Sequence, residues 1–65
     1  MTNYLLKLTN MHKLTVLLNH SLSMFDLYMY LSSNKYMIKK TMNTKFEIDS
    51  LIAHKDNNII ECYLK

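Results

Sequence analysis

Apolar side chains recur along the first half of the chain at Tyr4, Leu8, Met11, Leu18, Leu22, Phe25, Met29 and Tyr36, in steps of three, four or seven. Such steps mark one face of a helix rather than the alternation of a strand. Thr15 fills the one missing step. Asn19-His20-Ser21 predicts a break, because Asn and Ser compete with a helix for its backbone hydrogen bonds. Helix-start signals then appear twice. Ser23-Met24-Phe25-Asp26 has the form of a capping box, with a hydroxyl for the first turn and an acid three residues on. Thr44-Lys45-Phe46-Glu47 repeats the form ahead of Ile48, Leu51 and Ile52, which share one helical face.

The pattern therefore predicts helices over 4–18, 23–42 (with an interruption at 32–34) and 45–54. A turn follows at Asn57-Asn58, since Asn tolerates the left-handed conformation that Gly usually takes. Two segments fit a strand as well. Residues 27–31 and 36–38, rich in aromatic and β-branched types around Ser32-Ser33-Asn34, have the composition of a hairpin. Ile59 to Leu64 is too short an apolar run for periodicity to decide. The fold expected is all-α: two or three short helices in one small domain over 1–65, as a marginally stable bundle or helical hairpin, with a short C-terminal strand as the variant.

Composition changes this picture mainly by what is missing. The 65 residues include no Gly, Pro, Trp or Arg. Selection against helix breakers explains the first two absences. It does not explain eight Lys and no Arg, because a helix accepts both equally. A coding sequence poor in G and C explains all of them, and weakens composition as a guide to function. Eleven Leu, five Ile and five Tyr are also more than so small an interior hides. With Cys62 the only cysteine, no internal disulfide supports the fold. Exposed apolar surface and a need for support both point to association with another protein or with further copies of this chain.

The net charge of +3 is unevenly spread. Residues 1–45 hold six Lys against Asp26, whereas Glu47, Asp49, Asp56 and Glu61 outnumber Lys55 and Lys65 in the remainder. Residues 14–25 are uncharged, but Asn19, His20, Ser21, Ser23 and Asp26 make the region too polar for a span of about 20 residues. Leu14 to Leu18 is also too short for a signal-peptide core. The expected location is therefore cytoplasmic.

Residues 27–65 resemble part of the ankyrin-repeat proteins of poxviruses. LYMYLSSNKY is similar to the first helix and loop of such a repeat, and IDSLIAHKDNNIIECYLK to a second helix leading into the next repeat. The usual glycines after His54 and Asn58 and the Thr-Pro-Leu-His turn are absent, so the resemblance implies a degenerate or truncated piece. It implies an interaction scaffold of stacked helix pairs in an infected host cell, and no binding residue carries over.

Candidate chemistry is sparse. His12 and His20 are eight residues apart, as are His54 and Cys62, which is not the close spacing that puts two ligands on one metal. No metal, cofactor or small-molecule substrate is expected. Cys62 with His54 lacks the orienting group, oxyanion donors and pocket of a nucleophilic site, so the chain is expected not to be an enzyme. Lys35, Tyr36, Lys39, Lys40 and Lys45 form a basic, acid-free stretch suited to phosphates, without an Arg to read bases. Leu18, Leu22, Phe25 and Met29 are the expected partner surface. Three readings follow: a protein–protein interaction module or a fragment of one, a sequence-nonspecific nucleic-acid binder through Lys35–Lys45, and a reading-frame product without selected function.

Overall fold

The computed structural model describes residues 1–9 and 14–65. It is a mixed α/β fold, not the all-α bundle that the spacing predicts. Four strands, β1 (Thr2–Leu8), β2 (Leu14–His20), β3 (Ile48–His54) and β4 (Ile59–Leu64), form one sheet in the order β2-β1-β4-β3. Two helices, α1 (Met24–Ser33) and α2 (Lys35–Met42), connect its halves. β1 runs antiparallel to β2 and β3 antiparallel to β4, while β1 and β4 meet in parallel at the centre. All the apolar residues of the core lie between the helices and one face of the sheet.

The expected helix over 4–18 is a hairpin, and the reason is arithmetic. Tyr4 and Leu8 are four apart, and four is both about one helical turn and two strand repeats. Leu6 between them decides the matter: Tyr4, Leu6 and Leu8 are all at most 3% exposed and point to one face. Across the hairpin Val16 lies opposite Leu6 and Leu18 opposite Tyr4, so the second strand alternates in phase with the first. Met11, His12 and Lys13 lie outside the described residues.

The expected helix over 45–54 is strand β3. Ile48 pairs with Leu64, yet Ser50 pairs with Tyr63, so Asp49 is an extra residue on this strand, a β-bulge. The bulge shifts the alternation by one position, and Ile48 and Leu51 both turn inward although they are three apart. A three-residue step in the sequence thus mimics a helix. Thr44 caps no helix here. Its hydroxyl oxygen accepts a hydrogen bond from the Phe46 amide at 3.2 Å, which bends the chain into β3. Residues 59–64 form a strand, the alternative left open, while 27–38 are helical and not a hairpin.

The middle of the chain follows its local signals. The Ser23 hydroxyl accepts from the Asp26 amide at 3.3 Å, and Asp26 places negative charge at the positive end of α1. Asn34 ends α1, its amide shared between the carbonyls of Tyr30 and Leu31. α2 closes at Asn43, with the Thr44 amide on the Lys39 carbonyl and the Asn43 amide on that of Lys40. This is a Schellman motif with Asn at φ 52° where Gly is usual. Asn58 does the same between β3 and β4 at φ 54°.

Packing joins the layers through Leu27 and Leu31 of α1 and Ile38 and Met42 of α2, which lie over Leu6, Leu8, Ile60 and Cys62. Two tyrosines pin the layers together. The Tyr4 hydroxyl donates to the Leu22 carbonyl at 2.7 Å, and that of Tyr28 to the Leu51 carbonyl at 3.4 Å. The radius of gyration, 10.6 Å, is what a compact chain of this length should have.

Candidate interaction surface

The sheet places the candidate residues on three separate regions. Leu18 and Leu22, expected on a partner surface, are half-buried and pack partly against the core, because Leu18 sits on the inner face of β2 and Leu22 on the connection to α1. Phe25 and Met29 are where a partner can reach them, 71% and 50% exposed. They stand one turn apart on the outer side of α1.

Phe25 borders a concavity between α1 and β3, lined with Ser23, Met24, Tyr28, Ala53 and Lys55. Its existence follows from the local sequence. The Ser23 cap fixes where α1 begins, and the bond from Tyr28 to Leu51 holds that end of the helix against β3. Ala53 pairs with the buried Ile60 and so belongs to the inner face, but its methyl group is too small to fill the space beneath the helix. The result is an apolar floor with one cation, Lys55, in its lining. Sequence reasoning found Phe25 and missed Ala53 and Lys55, since a helical reading of 45–54 gives Ala53 no inner face to occupy.

The basic stretch divides in two. The Lys35 ammonium donates to the Asp49 carbonyl, and that of Lys39 pairs with Glu47 at 2.9 Å. This lysine holds the Glu47 carboxyl below the usual carboxylate range, first through the hydrogen bond and then through its charge. Tyr36, Lys40 and Lys45 are exposed, and with Lys39, Asn43 and Thr44 they line a shallow depression at the end of α2. Lys35 thus fastens α2 to β3, and Lys39 fastens it to Glu47 just ahead of that strand. The other two remain available to an anion.

Among the described residues, no helix lies on the outer face of the sheet. His54 and Glu61 are hydrogen-bonded there, and the Thr9 hydroxyl donates to the other Glu61 oxygen at 3.1 Å. Mainly through His54, the Glu61 carboxyl is held below its ordinary range. Cys62 belongs to the opposite face: it is fully buried, and burial pushes its thiol up to about 11. His54 and Cys62 are therefore kept apart by the sheet itself. His20 accepts a hydrogen bond from the Leu22 amide at its Nδ1, 3.1 Å away. Among the described residues no three His, Cys, Asp or Glu side chains converge as a metal site, and no helix is long and apolar enough to cross a membrane. No family model, curated protein or solved structure matches this chain.

Proposed function

We propose that this protein is a non-enzymatic protein–protein interaction module, and that the concavity between α1 and β3 receives its partner. The observation that carries this reading is Phe25, a large aromatic residue left 71% exposed beside an apolar floor. Aromatic groups next to a pocket dominate the energetics of interfaces. The concavity suits one or two apolar side chains of a peptide segment, packed between Phe25 and Ala53. An acidic residue of the partner then meets Lys55. Peptides selected from a random display library against the folded protein are expected to carry an apolar anchor. They should lose binding to Phe25→Asp and to Ala53→Leu, which fills the floor, and keep it with Lys40→Glu. Selected peptides that bind Ala53→Leu as well as the parent would refute the assignment.

A second reading, nucleic-acid binding, is favoured by the grouping of Tyr36, Lys40 and Lys45 around one depression. A stacking ring beside two ammonium groups suits a single strand without base preference. With so few phosphate contacts the affinity should be low. Log K should fall with log salt at a slope of about −1.4 for two phosphate contacts on a single strand. An electrophoretic shift insensitive to Lys40→Glu with Lys45→Glu speaks against it.

A further inference from the structure

Among the described residues, the sheet ends in two edge strands, β2 and β3, and they are built differently. β3 is defended: its bulge at Asp49 breaks the ladder, Asp49 adds a charge, and the Lys35 ammonium occupies the Asp49 carbonyl. Bulges and charges are the usual means by which an edge strand is kept from pairing with another chain. β2, at the opposite edge, has none of these. Its seven residues, Leu14 to His20, contain no Asp, Glu, Lys, Arg or Pro, and its register against β1 is unbroken from Thr2–His20 to Leu8–Leu14.

From this asymmetry we infer that β2 is a homotypic pairing edge, and that a second copy of this chain adds to it antiparallel to form a continuous eight-stranded sheet. The occupant is specified by the strand's own pattern. About a two-fold axis at Leu17, Val16 falls opposite Leu18 of the partner copy, Thr15 opposite Asn19, and Leu17 opposite its own counterpart. On the inner face Val16 and Leu18 meet each other and Leu14 meets His20, on the outer face Thr15 meets Asn19, and no Asp, Glu, Lys or Arg lies in the pairing. Val16 and Leu18 pack against the core yet stay partly exposed where the sheet stops. The added strand continues that inner surface and covers them. On the outer face Leu17, 64% exposed, gains an apolar neighbour. Cross-strand pairs of this kind are what stabilise a sheet. The concavity beside β3 lies at the other edge, so this dimer leaves it open and does not depend on the proposed function.

Sedimentation velocity across the micromolar range tests the inference. The parent should show a monomer–dimer equilibrium, and Leu17→Lys should be monomeric with an unchanged far-ultraviolet circular dichroism spectrum. Ile52→Lys, on the outer face of β3, should dimerise as the parent does. Under mild oxidation Leu17→Cys should give a covalent dimer, whereas Ile52→Cys should not. A parent that stays monomeric throughout that range overturns the proposal. So does a dimer lost equally in Ile52→Lys, which would indicate stacking of outer faces, or one that Leu17→Cys fails to trap.

Discussion

Asn58 carries the turn between β3 and β4 in a left-handed conformation at φ 54°, in a chain that has no Gly for the purpose. A side chain with a β-carbon but no local hydrogen-bonding amide costs about 1–2 kcal/mol more there. Asn58→Ala should therefore lower the stability measured by urea denaturation by roughly 1 kcal/mol, and Asn58→Gly should not lower it. The carboxyl of Glu61 sets a second expectation at this scale. Its folded pKa is depressed, chiefly by the hydrogen bond with His54, so the folded form prefers the ionised group. The resulting stabilisation is complete above the unfolded glutamate value of about 4.3 and is lost as pH falls through the lower folded value. Glu61→Gln should accordingly be less stable than the parent at neutral pH, with the difference closing as the solution is acidified below that range. Equal differences at both ends would show that the charge plays no part. Asn58 as a turn former is visible in the sequence, whereas the Glu61–His54 pair is not, because it exists only once β3 and β4 are side by side.

Among the elements, those made by local signals are the legible ones. α1 begins at its Ser23 cap, and the break at Asn34 separates it from α2, as the residues there indicate. The first three strands are not legible, whereas β4 is one of the two readings its segment allows. β1 offers a spacing of four that serves either repeat, and β3 hides its alternation behind the bulge at Asp49. β1 also depends on β4, more than fifty positions away, for its second neighbour, a contact no local window contains. The candidate surface follows the same division: Phe25 and Met29 lie on the legible helix, whereas Leu18 lies on β2, in a segment whose spacing reads as helix. Deleting Asp49 tests the account of β3. Ile48 would still face inward opposite Leu64, now on a regular strand, so the circular dichroism spectrum should be retained. Self-association should increase, because a flat edge is a pairing template. Loss of folding would show that the bulge is required for the fold rather than for its protection.

At the scale of the whole molecule, Cys62 is a built-in reporter. It occupies the centre of the core, and its thiol is both shielded and raised to about 11. The thiolate is the reactive form, so the folded protein should be inert to alkylation at neutral pH. Labelling should proceed only through opening, at a rate that rises in urea in parallel with unfolding. Rapid stoichiometric labelling of the native protein would mean that the layers part without unfolding.

Among the described residues, the parallel contact between β1 and β4 joins the first strand to the fourth, and it does so in the middle of the sheet. During synthesis, a chain that has emerged as far as Asn58 holds the first hairpin and both helices but has no strand to place on the other side of β1. Leu6 and Leu8 then lack the strand that supplies Ile60 and Cys62. The polypeptide remains an open half-sheet until β4 leaves the ribosome, and only then can the two halves join.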